Sequence, residues 1–171
     1  RYIPAGLHYT IVIAAFFILR ELELSTMVRG SVVMNAVLMT VTVLLPVSKT
    51  DVMALTRHRT WGCVCGDVLD PFSCPYHAME DQLQLLADMF AEEGIQDGFP
   101  IAPSADGKVM DKDAVVRAIQ MVAEASQLTL MAVDGRAAFT GHVWRINGSR
   151  LLARLASMSP SSCFWRDGGA Q

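Results

Sequence analysis

His142 and Arg145 stand three residues apart in the stretch Gly141-His142-Val143-Trp144-Arg145. On a helix that spacing turns an imidazole and a guanidinium to one face, within reach of a single small anionic group. A guanidinium fork can hold two oxygens of a phosphate, and an imidazole beside it can position or accept a proton. Two cations far upstream sit in settings suited to the same work. Arg20 is followed three residues later by Glu23, whose carboxylate can orient it, and Lys49 lies in the polar turn Val47-Ser48-Lys49-Thr50-Asp51. Each has a plainer use when taken alone: a surface ion pair at Arg20, a solvated side chain at Lys49, a packed or capping pair at His142 and Arg145.

A second chemistry is carried by Cys63, Cys65, Cys74 and His77, spaced C-x-C-x8-C-x2-H. Three soft thiolates and an imidazole bracketing a turn are the ligand set of a tetrahedral structural zinc, which would pin a loop lacking a core of its own. A disulfide among these thiols and unliganded thiols in a reducing compartment are the alternatives. Cys163, distant and alone, stays outside the set.

The elements that must position these residues follow from periodicity. The apolar run over 7–23 reads as one core helix whose last turn emerges at Arg20 and Glu23. Ser31 to Leu38 and Thr40 to Leu45, dense in Val, Thr, Leu and Met, read as two short antiparallel strands ending at Pro46, with Lys49 on the turn beyond. The Cys/His set occupies a loop over 60–78. From Ala78 to Gly94 the apolar residues recur at helical spacing, and Asp111 is placed to cap a further helix lasting to about Gln127. Asp134-Gly135 marks a turn, after which Thr140 can cap the helix that carries His142 and Arg145. The expected fold is therefore mainly α with a small antiparallel β-hairpin, an α+β domain over 1–155 followed by an irregular tail over 156–171.

Charge is distributed unevenly around the net value of −3. Residues 1–60 hold six Arg/Lys against three Asp/Glu, residues 61–135 three against thirteen, and residues 136–171 five against one. The segments bearing Arg20, Lys49, His142 and Arg145 are basic, and the acidic excess decorates the middle helices as a solvated face. A nucleic-acid face is permitted, although no polybasic stripe is present. Leu7 to Leu19 is too short to cross a bilayer core of about 30 Å, and Val32 to Val47 is interrupted by polar residues, so no membrane span is expected. The chain opens on Arg1 without an initiator Met and reads as a piece of a longer product.

The order of these parts resembles the catalytic domain of tyrosine recombinases, the phage-integrase-like enzymes. The strings Leu19-Arg20-Glu21-Leu22-Glu23, Leu45-Pro46-Val47-Ser48-Lys49-Thr50-Asp51, the Cys63/Cys65/Cys74/His77 loop and Gly141-His142-Val143-Trp144-Arg145 are most similar to the divergent integrase-like proteins of dinoflagellate genomes. The resemblance implies that Arg20, Lys49, His142 and Arg145 surround a DNA phosphodiester, with Glu23 supporting Arg20. It further implies DNA strand breaking and rejoining through a phosphotyrosyl bond, no cofactor for the chemistry, double-stranded DNA as partner, self-association on DNA, and a nuclear location in a eukaryote. The nucleophilic tyrosine belongs beyond the H-x-x-R helix, whereas Tyr2, Tyr9 and Tyr76 are the only tyrosines and all precede it. The expectation is a truncated or decayed copy without strand cleavage, binding DNA weakly and in a salt-dependent way. The rival reading is a non-catalytic zinc-loop helical module that binds another protein through its acidic middle helices.

Overall fold

A computed structural model describes residues 3–45, 57–65, 73–92, 94–140, 146 and 148–150. In chain order these form α1 (Leu7–Phe16), α2 (Glu21–Thr26), a 3-10 turn (Arg29–Ser31), β1 (Val32–Asn35), β2 (Thr40–Leu45), β3 (Arg57–Gly62), α3 (Pro75–Met89) and α4 (Lys112–Ala125). Residues 146 and 148–150 are also helical. The domain is mixed α+β, and its sheet has three strands where the sequence pattern predicts a hairpin of two.

The three strands form an antiparallel meander in the order β1-β2-β3, with Val43 opposite both Val32 and Arg59, and Val41 opposite Met34 and Trp61. Alternation along β2 buries Val41, Val43 and Leu45 and leaves Thr40, Thr42 and Leu44 half-exposed. On the outer face the Thr42 and Thr60 hydroxyls pair across the strands at 2.8 Å. β3 reads poorly as a strand because Arg57-His58-Arg59-Thr60 is polar; its pairing with β2 overrides that composition.

The pattern over 7–23 predicts one helix, and the chain instead breaks in the middle of its apolar run. After Phe17 the backbone closes as a Schellman motif: Leu19 N–H donates to Ala14 O at 2.9 Å and Ile18 N–H to Ala15 O at 3.3 Å. The residue in the left-handed position is Ile18, φ 50°, where glycine is usual. A β-branched residue there carries strain on the order of 1–2 kcal/mol, which the surrounding packing must offset. Phe16, Phe17 and Leu19 on either side are fully buried, each contributing about 1.5–3 kcal/mol of transfer free energy, so the anchors outweigh the strain. Sequence reading misses the break because no Gly or Pro announces it.

Cys74, Pro75 and the first turn of α3 follow the preference for proline at the first helical position. The helix thus begins three residues before Ala78, and its inward face runs through Ala78, Met79, Gln82 and Leu86, while Met89 faces out. Gln82 is wholly buried; its Nε2 donates to Ala5 O at 3.0 Å and Ile101 O at 2.7 Å, tying α3 to the segments before α1 and before α4. A side chain at Gly6 would collide with that amide, which accounts for the glycine there. In α4 the Asp111 side chain accepts from Ala114 N–H at 2.6 Å, the cap its position predicts. α4 buries Ala114, Val115, Ala118, Ile119 and Ala123 and ends at Ala125.

α1 and α3 pack together over the inner face of the sheet, and α2 lies on α4. The common core joins Ile13 and Phe16 of α1 and Phe17 just after it to Val41, Val43, Met79, Ile101 and Val115. Among the described residues no helix is long and apolar enough to cross a membrane.

Candidate functional site

The meander's inner face continues beyond β3 into the Cys/His set. Arg59, Trp61, Cys63 and Cys65 occupy alternate positions, the period of a strand. Cys63 N–H still donates to Met39 O at 2.8 Å, which keeps this stretch in line with the sheet. Opposite it, Cys74 stands at the N-cap of α3 and His77 lies in that helix's first turn. The ligands thus come from the two ends of the stretch between β3 and α3, with Cys63 and Cys65 just after the strand and Cys74 and His77 at the start of the helix.

The four ligand atoms lie within 4.8 Å of one another. Cys63 Sγ is 3.8 Å from Cys74 Sγ, and His77 Nδ1 is 3.1 Å from Cys65 Sγ and 3.8 Å from Cys63 Sγ. Two sulfurs each about 2.3 Å from one tetrahedral ion lie about 3.8 Å apart, so the sulfur pair already has the required separation. All three of these cysteines are free thiols. The residues fit a metal ion, and the site can bind one.

The backbone around the cluster favours thiolates. Val64 N–H points at Cys74 Sγ at 3.4 Å, and Cys65 N–H at Cys63 Sγ at 3.5 Å. Burial works against ionisation of Cys74, but N–H groups of His77 and Val64 outweigh it and bring the thiol down to about 6. Burial, reinforced by the neighbouring Cys74 and Cys63, pushes Cys65 up to about 12. One thiolate is thus ready at neutral pH and another sulfur holds its proton until a cation replaces it.

Arg20 is the N-cap of α2 rather than the last turn of a preceding helix, and it is half-buried. Glu23 supports it through the main chain, its carboxylate accepting the Arg20 N–H at 2.8 Å. Among the described residues the Arg20 Nε is buried with no hydrogen-bond partner. A buried guanidinium nitrogen left unpaired is costly, and such groups call for a reason. Lys49, His142 and Arg145 lie outside the described residues. In the sequence Lys49 falls between Leu45 of β2 and Arg57 of β3, which are paired.

Two residues with a bearing on this site escape sequence reasoning. Arg59 on β3 donates through Nη1 to Phe17 O and, at 3.1 Å, to Ile18 O, the carbonyls of the strained break three and two residues before Arg20. Gly148 is buried against the carbonyl of Ala15 so closely that any side chain would strike it. The alternation Arg59-x-Trp61-x-Cys63-x-Cys65 carried the signal for the first; nothing local marks the second. Of the upstream tyrosines, Tyr76 is buried in the core, where burial first and Glu80 second push its phenol up, and Tyr9 is half-buried on α1.

Comparison of the chain with protein-family models and with curated proteins yields no match.

Proposed function

We propose that this domain grips a phosphodiester of double-stranded DNA in the manner of tyrosine recombinases, with Arg20, Lys49, His142 and Arg145 as the cationic set and Glu23 supporting Arg20. The observation that carries the reading is the seating of Gly148 on Ala15. It brings the helical residues 146 and 148–150 to the end of α1, one short break before Arg20. His142 and Arg145 precede Gly148 by six and three residues in the sequence. Three further features support it. Arg20 heads a short helix, a three-stranded antiparallel meander follows, and Lys49 belongs in sequence to the β2–β3 connection. The unpaired Arg20 Nε is what a site awaiting an anion would leave.

The metal at Cys63, Cys65, Cys74 and His77 is zinc in this reading, since three thiolates and an imidazole at tetrahedral spacing suit that ion and leave no open position for catalysis. Zinc here is structural, and the phosphate chemistry belongs to the cations. The reading covers the phosphate grip of this chain, in which Tyr2, Tyr9 and Tyr76 all precede Arg145.

The test is anisotropy of a labelled duplex titrated with the zinc-loaded chain at low and moderate salt, alongside Arg20→Ala and Arg145→Ala. Affinity that falls with salt and drops in both variants supports the reading. Affinity unchanged by both substitutions, with protein partners lost on Cys74→Ser, would favour the zinc-centred interaction module instead.

A further inference from the structure

One strand joins the two sites. Along the inner face of β3 and its extension, Arg59 holds the Phe17 and Ile18 carbonyls, Trp61 meets the Phe16 ring edge-on at 5.5 Å between centroids, and Cys63 and Cys65 supply half of the metal ligands. The same face therefore touches three consecutive residues, Phe16, Phe17 and Ile18, at the break that sets Arg20.

We propose that metal occupancy at the Cys/His centre positions Arg20, with Arg59 as the positioning residue that transmits it. The inference rests on the reading of Arg20 as a phosphate ligand. Its physical basis is the strain at Ile18: a β-branched residue at φ 50° keeps its conformation only while its surroundings hold it there. Arg59 supplies two of those constraints, and it can do so only while β3 keeps its place against α1. Among the described residues β3 is an edge strand of the meander, hydrogen-bonded to a neighbouring strand on one side only, by β2. A metal ion shared between Cys63 and Cys65 after β3 and Cys74 and His77 on α3 ties that edge to α3, the helix packed on α1. With the ion bound, β3, α3 and α1 form a closed triangle around the break. Without it, β3 can slide relative to α1, the Arg59 donors leave the carbonyls, and Ile18 relaxes toward ordinary dihedrals, carrying Arg20 with it.

Hydrogen exchange of the full chain, followed by mass spectrometry with Zn(II) and after chelation, tests the link without relying on DNA. The amides of Leu19, Arg20 and Leu24, bonded to Ala14 O, the Glu23 carboxylate and Arg20 O, are expected to exchange about tenfold faster once zinc is removed. The last turns of α4, Ala118 to Ala125, should exchange as before. Arg59→Lys should bind one zinc yet lose the zinc-dependent protection at 19–24, since an ammonium cannot reproduce the fork. If that variant loses α4 protection and so fails to fold, Trp61→Phe serves in its place and should shrink the zinc effect.

Equal protection with and without zinc overturns the proposal. So does a loss spread evenly through α4, or a zinc effect preserved in Arg59→Lys. Duplex binding read in parallel separates the two claims. Zinc-dependent protection with no salt-sensitive binding sinks the DNA reading and leaves the coupling standing. Binding that is salt-sensitive but indifferent to zinc and to Arg59 sinks the coupling and leaves the DNA reading.

Discussion

Gly148 rests directly on the carbonyl of Ala15, and no heavier residue fits between the two backbones. α1 is strongly apolar and His8 is its one exposed residue, a pattern a helix tolerates when it is covered on more than one side. α3 covers one side and the segment containing Gly148 another. That second cover turns the end of α1 into a junction, with the break at Ile18 and Arg20 immediately beyond it.

Gly148→Ala is therefore expected to destabilise the domain. Alanine gains about 1 kcal/mol over glycine in a helix, but forcing a methyl group against backbone costs roughly 1–3 kcal/mol, and a carbonyl cannot swing aside as a side-chain tip can. Chemical denaturation should show a net loss. Gly98→Ala, where nothing lies within 4 Å of the added carbon and φ is ordinary, is the control and should be near neutral.

At Ile18 the usual ranking of alanine above glycine should reverse. Both substitutions remove the same half-exposed side chain, yet only glycine relieves the positive φ of 50°. Ile18→Gly should exceed Ile18→Ala by about 1 kcal/mol in unfolding free energy, measured by urea titration. An alanine variant as stable as the glycine one would mean that position 18 carries no strain.

Zinc binding should release protons and weaken as pH falls. The metal-free Cys65 thiol, held at about 12, is protonated at neutral pH and must give up that proton to coordinate. At least one proton leaves per zinc, so affinity should rise about tenfold per pH unit near neutrality and fall by the same factor on acidification. Below about 6 the Cys74 thiolate is protonated as well and the slope steepens. Calorimetry in buffers of different ionisation enthalpy reads the proton count directly. With zinc at a thousandfold its dissociation constant, chelation should cost about 4 kcal/mol of apparent stability.

Much of this layout can be read from residue order, and the exceptions have physical reasons. The Asp111 cap, β2 and the metal set are local signals: a side chain three residues from the amide it caps, an alternating apolar strand, a ligand spacing. β3 is hidden because its outward residues His58 and Thr60 are polar and its inward Arg59 is spent on carbonyls rather than solvent. The break after Phe17 is hidden because its left-handed residue is isoleucine. Gln82 looks like a surface residue of an amphipathic helix, and only the carbonyls of Ala5 and Ile101, distant in sequence, make it a core residue.

Arg20 offers the sharpest separation of stability from function. Its Nε is buried and unpaired among the described residues, while the contact to Glu23 is made by its backbone N–H and would survive in any non-proline variant. Truncating this half-buried side chain removes the desolvation cost of an unpaired buried nitrogen, so Arg20→Ala should keep or slightly raise the denaturation midpoint. A residue kept at a cost to the fold is the mark of a functional site. Under the DNA reading the same variant should weaken duplex binding and reduce the slope of log affinity against log salt by about one, the loss of a single phosphate contact. If Arg20→Ala instead lowers stability while leaving binding and its salt slope unchanged, the guanidinium is a structural element of α2 and the phosphate grip loses its first member.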